Sequence, residues 1–454
     1  MKKLLSSIWI LLASIGMQAQ PVLGFDGEEY ATVGIYIKDL STGLVIADCN
    51  SNRTMTPAST MKALTTATAM SVLGESYRFA TPVELRGSRQ GQIWNGDLVV
   101  CGSADPTLES EFFESNLGFC DSIVSHLKKM GITRIAGTVR VTESLKDGGP
   151  VPQWEIEDVA WSYGAALFGL NWRDNIFRLW PATGRTKPHV PDLKVELRKD
   201  PDGTELLRGV ASDRLIVWGR NLTNKKWCLT ATMPSPAVVL AYELTSRLQS
   251  AGIQVGKKNL KLDSKVASTT LYTHRSPVSS EIFRSLMVRS DNMMAEGMLR
   301  AIAPAGTRKE AIKKEKELWS SRGLNLDYAG IIDGSGLARG NRISPRQLGD
   351  MLEFMSRAEY GKAYVACFPR AGLHGTMKSF MAKTPLEGKL ALKTGSVNAV
   401  QCFAGYMLDT EDNPTHVVVV MVNAFYCSRA RLRDAISSYL QKQFVVEEYD
   451  TEGK

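Results

Sequence analysis

Residues Met61 to Leu73 read MKALTTATAMSVL and contain a single charge, Lys62. Alanine, threonine, methionine and leucine fall on every side of a helix wound through this stretch. A helix that is apolar all round has to be enclosed by other elements, so the chain must fold around it. Thr56 is placed to cap this helix, Pro57 suits its first turn and Gly74 can end it. Ser59 stands three residues before Lys62, on the same helical face. It also falls in the first turn, where free N–H groups and the helix dipole favour developing negative charge. Enclosure disfavours an ammonium, and a neutral amine beside a hydroxyl can take its proton. That is how a serine without a histidine becomes a nucleophile. Alone, S-x-x-K is short and common, and better fits a lysine that reaches the surface beside a turn serine.

The flanking sequence divides into textures. In TVGIYIKDLSTGLVIADCN two apolar runs surround Ser41-Thr42-Gly43, which predicts a hairpin. From about Arg86 the stretches GQIWNGDLVVCG, ITRIAGTVRVTES, LKVELRKDPDGTELLRGV and WCLTATM read as strands, with DPDG a strong turn signal. A helical pattern returns in PAVVLAYELTSRLQSAGI. Residues 86–272 therefore read as an inserted, β-rich region of two nested subdomains. Beyond them, SSEIFRSLMV and MMAEGMLRAIA predict two helices broken at RSDN. GKLALKTGS, VQCFAGYMLDT and HVVVVMVNAF predict three strands, and an amphipathic helix starts near Arg429. The hairpin, these strands and the helices between them make one core domain.

Composition removes several function classes. Of 454 residues, 44% are apolar and 22% charged, ordinary globular proportions. The net charge is +8, or +6 without Lys2 and Lys3, and it is spread out. It suits an anionic polymer or surface, but no basic block interleaved with aromatics points to nucleic acid. Residues 1–19 carry two lysines, an apolar run and Ala19 before Gln20, the pattern of a secretory signal peptide. No later segment has membrane-spanning length. The seven cysteines (Cys49, Cys101, Cys120, Cys228, Cys367, Cys402, Cys427) have neither framework nor zinc spacing, and most are expected to be buried. His126, His189, His274, His374 and His416 show no metal spacing, although a Ser/His/Asp triad assembled in space stays open.

Two further stretches raise the standing of Ser59 and Lys62. Ser290-Asp291-Asn292 falls at the break between helices, and Lys393-Thr394-Gly395, followed by Ser396, ends a strand. In this order the three stretches match the set S-x-x-K, S-D-N, K-T-G of penicillin-binding proteins and class A β-lactamases. With GSADPTL (Gly102–Leu108), WSYGAALFGLNWRDN (Trp161–Asn175) and DGSGLARGN (Asp333–Asn341), the chain resembles class C low-molecular-mass penicillin-binding proteins. These are serine D-Ala-D-Ala carboxypeptidases/endopeptidases of the DacB type. The resemblance covers nearly all of the chain after the signal stretch. Two departures are Ser103, where that family more often has glycine, and Ala338, where it often has serine. More than two hundred positions separate Lys62 from Ser290, far more than in β-lactamases, and in the resembled family two inserted domains fill that interval.

The resemblance implies an α/β (α+β) fold with a serine β-lactamase/penicillin-binding transpeptidase-like core. Residues 20–85 and 273–454 would form it, 86–171 and 235–272 an inserted domain, and 172–234 a nested β-rich domain. It implies an exported, periplasmic enzyme, free or loosely held at the cell wall or membrane surface. Its substrates would be peptidoglycan stem peptides ending in D-Ala-D-Ala, with β-lactams as covalent inhibitors and no cofactor or metal. Ser59 would attack, Lys62 would be the base and Ser290 would relay a proton while held near Lys62. Asn292 would bond the substrate amide, Lys393 would supply fixed positive charge, and Thr394 would hold the terminal carboxylate. Gly395 and Ser396 would border the substrate, with the N–H groups of Ser59 and Ser396 receiving the oxyanion. Arg339 and Asp105 would meet the stem peptide at the cleft. Ser335 does not fit a nucleophile elbow, because Asp333 holds its first glycine position. A β-lactamase or esterase using the same apparatus, or a non-catalytic cell-wall scaffold, are the alternatives.

Overall fold

The computed structural model describes residues 22–210, 212–257 and 267–445; the signal-peptide stretch 1–19 lies outside them. A five-stranded antiparallel sheet carries the core, in the order β15 (Leu390–Val397), β16 (Val400–Leu408), β17 (Pro414–Asn423), β1 (Thr32–Asp39), β2 (Val45–Cys49). The run Val417 to Val422 is wholly buried, because both faces of its strand are covered. Val417, Val419 and Met421 join the cluster that includes α1 (Met61–Leu73), α4 (Ser279–Arg289), α5 (Asn292–Ala301), α7 (Pro345–Arg357) and α8 (Gly361–Ala366). Val418, Val420 and Val422 point the other way, onto Leu432, Ile436 and Leu440 of α9 (Arg429–Phe444). This alternation is the two-residue period of a strand. Each fully buried valine contributes on the order of 1.5–3 kcal/mol.

Every residue of α1 from Met61 to Met70 is buried, as its uniform apolarity requires. Its threonines bond to what surrounds it. Thr65 Oγ1 donates to the Gly334 carbonyl at 2.7 Å, and Thr68 Oγ1 lies 2.8 Å from Glu315 Oε1 on α6 (Arg308–Ser321). The helix stops at Gly74, where φ is 73° and the N–H bonds back to the Met70 carbonyl. Its start differs from the expectation. Thr56 is not the cap: its hydroxyl accepts from Arg342 and its N–H donates to Asn423. A single 3-10 turn, Ala58–Thr60, leads into the helix instead.

The inserted region leaves and re-enters the core at one neck. There β3 (Ala80–Gln90) pairs antiparallel with β14 (Ser268–Arg275), Ala80 opposite Arg275. These two strands continue into a six-stranded sheet with β4 (Ile93–Cys101), β5 (Arg134–Ile135), β13 (Gln254–Val255) and β6 (Val139–Thr142), packed with α2 (Phe119–Lys129) and α3 (Pro236–Ser250). Two three-stranded sheets follow: β12 (Leu229–Thr232), β7 (Ile176–Trp180), β8 (Arg185–Lys187), and β10 (Glu205–Arg208), β11 (Arg214–Gly219), β9 (Lys194–Lys199). The DPDG sequence does turn the chain, yet β9 and β10 do not pair. The strand β11 lies between them, parallel to β9.

No helix among the described residues is long and apolar enough to cross a membrane. All seven cysteines are free. Only Cys120, Cys367 and Cys402 are buried and Cys228 is exposed, so most cysteines are not core residues as expected.

Candidate active site

Ser59 sits in the 3-10 turn, and Ala58 before it is held at φ 46°. A left-handed conformation is costly for a residue with a Cβ and persists only where its surroundings enforce it. Here Gly336 backs the turn so closely that a Cβ on it would come within 1.9 Å of the Ala58 carbonyl oxygen. One helical turn on, Lys62 is fully buried. Its Nζ lies 2.9 Å from Ser59 Oγ, 2.6 Å from Asn292 Oδ1 and 2.6 Å from the Ser335 carbonyl oxygen. Burial pulls its ammonium down to about 8, although Asp333, Asp291 and Glu296 each pull the other way.

The S-D-N stretch is the turn between α4 and α5. Ser290 ends α4 at φ 62° and Asp291 caps α5, accepting from the Met294 N–H at 2.9 Å. Lys393 on β15 is also fully buried. Its Nζ lies 2.9 Å from Ser290 Oγ and 2.7 Å from the Thr394 carbonyl oxygen. Burial and the neighbouring Lys62 charge push its ammonium well below the usual lysine range. Ser290 bonds to Lys393, not to Lys62. Asn292 differs as well. Its Oδ1 is taken by Lys62 and its Nδ2 donates to the Tyr163 carbonyl at 2.7 Å, so both ends of the amide are engaged within the protein.

Gly395 closes the site against the nucleophile turn. A Cβ built there would come 2.4 Å from the Pro57 carbonyl oxygen and 3.0 Å from the Ser59 nitrogen. Gly395→Ala is expected to displace the Ser59 turn and lower kcat/KM by about a hundredfold or more, the scale of losing one oxyanion donor; steady-state kinetics beside a thermal melt check it. Ser396 is exposed and its hydroxyl donates to Gln401 Oε1 at 3.1 Å. Arg429 holds Gln401 and the carbonyls of Val397 and Val400, fixing the β15–β16 turn beside it. Thr394 Oγ1 bonds Thr376 at 2.9 Å.

Two buried carboxylates shape the loop that presents the Ser335 carbonyl. Asp333 accepts from the N–H groups of Gly336 and Ala338, from Asn341 Nδ2 and from Trp154 Nε1. Glu296 accepts from the Gly334 and Ser335 N–H groups and pairs with Arg308. Ser335 is itself buried and contributes its backbone. Tyr163 and Trp154 reach in from the inserted region; Glu296 and Trp154 lie outside every motif in the sequence, and Asp333, Ser335 and Tyr163 stand there only within stretches shared with the resembled family. Glu296 could have been found by the criterion that picked out Lys62, a charge on an apolar helix. The carbonyls of Tyr163 and Ser335 leave no such trace.

Structure brings Ser59, Lys62, Ser290, Asn292, Lys393, Thr394, Gly395 and Ser396 together. Arg339 makes no hydrogen bond or ion pair with this cluster among the described residues; it pairs with Glu155 at 2.6 Å. Asp105 is only 2% exposed, in a loop whose Pro106 packs on Gly297 of α5, so it does not line the cleft as expected. His274 bonds Asn116 and His416 bonds Thr415, away from Ser59.

With this geometry in place, the likeness to known proteins is specific. Residues 23–442 match the D-Ala-D-Ala carboxypeptidase 3 (S13) family. A D-alanyl-D-alanine carboxypeptidase of Actinomadura sp. (strain R39) is 27% identical, over 84% of this chain and 76% of its own length. The D-alanyl-D-alanine carboxypeptidase DacB of Haemophilus influenzae is 24% identical, over 84% of this chain and 83% of its own. The crystal structure of penicillin binding protein 4 (dacB) from Haemophilus influenzae shares the fold, with a TM-score of 0.78 at 22% identity, covering 92% of this chain and 97% of that one. A predatory endopeptidase of Bdellovibrio bacteriovorus has a TM-score of 0.51 at 16% identity, covering 91% and 93%.

Proposed function

The chain belongs to the D-Ala-D-Ala carboxypeptidase 3 (S13) family and is a serine-type D-Ala-D-Ala carboxypeptidase, and from that premise we propose that it works through an acyl-enzyme on Ser59. The observation that carries this reading is the fully buried Lys62 amine 2.9 Å from Ser59 Oγ. Neutral Lys62 takes the hydroxyl proton as Ser59 attacks the carbonyl of the penultimate D-alanine. The N–H groups of Ser59 and Ser396 receive the oxyanion. As the intermediate collapses, Ser290 gives its hydroxyl proton to the departing amine of the terminal D-alanine and recovers one from the Lys393 ammonium it bonds, while Lys62 keeps the Ser59 proton and returns it to Ser59 when the ester is hydrolysed. Water then hydrolyses the ester.

Lys393 acts through its response to substrate. A carboxylate arriving beside Lys393 and Thr394 favours the Lys393 ammonium, and that charge in turn favours neutral Lys62. Substrate binding thus prepares the base. Asn292 serves first by holding Lys62, and meets the substrate amide from that position. Lys62 is the working base only when neutral, so kcat/KM is expected to rise with pH through about 8 and level off above it. A pH–rate profile with no rising limb near that value contradicts the assignment.

The substrates are peptidoglycan stem peptides ending in D-Ala-D-Ala, reached by export to the periplasm under the direction of residues 1–19. Penicillin acylates the same serine through its strained amide. Arg339 contacts the stem peptide beside Tyr163; the Arg339→Ala variant should raise KM severalfold for peptides, and unchanged kinetics on all of them would remove it from the site. Residues 86–171 with 235–272, and 172–234 within them, are inserted domains that present Trp154 and Tyr163 to the core. The deciding experiment measures D-alanine released from a D-Ala-D-Ala pentapeptide and products formed from crosslinked muropeptides. Release by wild type and none by Ser59→Ala is expected. Cleaved crosslinks add endopeptidase action, and rapid penicillin turnover in place of a lasting adduct would favour a β-lactamase.

A further inference from the structure

A cavity of about 610 Å³ lies in the inserted region and is lined by none of the residues around Ser59. Its volume falls within the range of small-ligand sites. Asp174, on its wall, is only 7% exposed, and its Oδ1 has no hydrogen-bond partner among the described residues. A buried acceptor left unpaired is rare in folded proteins and asks for a donor. Across β12, β7 and β8, Thr230, Arg178 and Lys187 stand directly opposite one another, and all three line the cavity. Like charges opposed across a ladder repel. The other cations of the wall have partners: Arg173 pairs with Glu243 at 2.7 Å and Arg247 with Asp121 at 3.6 Å. No such ion pair engages Arg178 or Lys187 among the described residues. His189 and Tyr242, their ring centroids 4.8 Å apart, offer an apolar surface on the same cavity wall.

We propose that this cavity binds a short peptide carrying both a free ammonium and free carboxylates. The ammonium gives Asp174 Oδ1 the donor it lacks. The carboxylates neutralise the Arg178–Lys187 pair and accept from the Thr230 hydroxyl, and the peptide's apolar atoms rest on His189 and Tyr242. Burial pushes the Asp174 carboxyl up to about 7, against hydrogen bonds from Ser110 and the Glu111 N–H that leave Oδ1 unserved; a ligand cation would reverse that shift. The site also abuts the catalytic one. Asn175, next to Asp174, donates to Met293 Sδ at 3.0 Å, one residue beyond Asn292.

The test is isothermal titration calorimetry on the full chain, with the tripeptide Ala-Glu-Ala bearing free termini as probe. Saturable binding is expected. It should weaken at least tenfold in the double variant Arg178→Glu/Lys187→Glu, in Asp174→Asn, and when the probe is N-acetylated. Arg178 and Lys187 are exposed, so the double variant should release D-alanine from the pentapeptide within twofold of wild type. Absence of saturable binding to wild type overturns the proposal. So does an unchanged Kd in the double variant, which would put the probe elsewhere, the catalytic cleft included. Should Asp174→Asn fail to fold, the double variant and the acetylated probe decide.

Discussion

Lys62→Met is expected to lower kcat/KM for a D-Ala-D-Ala peptide by about 10²–10⁴-fold, the usual contribution of a positioned base. Methionine is unbranched, close in length and apolar, so it fits a position with no solvent exposure. It cannot accept the Ser59 proton. It also leaves Asn292 Oδ1 and the Ser335 carbonyl without the donor that holds them at 2.6 Å, at roughly 1–3 kcal/mol for each unpaired group. Removal of the buried amine offsets part of that cost, since its desolvation already pulls the ammonium down to about 8. The fold should therefore survive while acylation does not. Single-turnover acylation beside a thermal melt separates the two, and a folded variant within tenfold of wild type would remove Lys62 from the base role.

Asp333→Ala is the second large effect, and it acts through structure. Its two oxygens accept four donors: the Gly336 and Ala338 N–H groups, Asn341 Nδ2 and Trp154 Nε1. Deleting a buried carboxylate so bound strands all four, with an expected loss of about 3–5 kcal/mol. The loop that backs Ala58 and offers the Ser335 carbonyl to Lys62 would loosen with it. Activity should fall along with stability, because the same loop sets the nucleophile turn. A denaturant midpoint and kcat measured on one preparation check this; a variant as stable as wild type would mean that another group organises the loop.

The most legible part of the fold was α1. Thirteen residues with one charge demanded a surround, and the surround is there. The β1–β2 hairpin and the break between α4 and α5 were equally local, each marked by turn residues between periodic runs. What failed was non-local. Nothing in DPDG could say that β11 would slip between β9 and β10, since a turn signal fixes direction and not partners. Thr56 looked like a cap by position, but Arg342 and Asn423, distant in sequence, hold it. In the site, the three motifs located the side chains but not their bonding. That Ser290 bonds Lys393, and that Asn292 bridges Lys62 and the Tyr163 carbonyl, depends on how α5, β15 and the inserted region meet. Nor does strand sequence reveal that Lys393 is buried on every side, beside a second lysine whose charge pushes its ammonium downward.

The most direct test of a serine activated by a buried amine is to locate the covalent intermediate. Benzylpenicillin is added to the protein at pH 8, the reaction is quenched, and the proteolytic peptides are weighed. The expected result is a single adduct on the peptide that contains Ser59, absent in Ser59→Ala and formed at least a hundredfold more slowly in Lys62→Met. An adduct on another residue, or one formed at the same rate without the Lys62 amine, would contradict it.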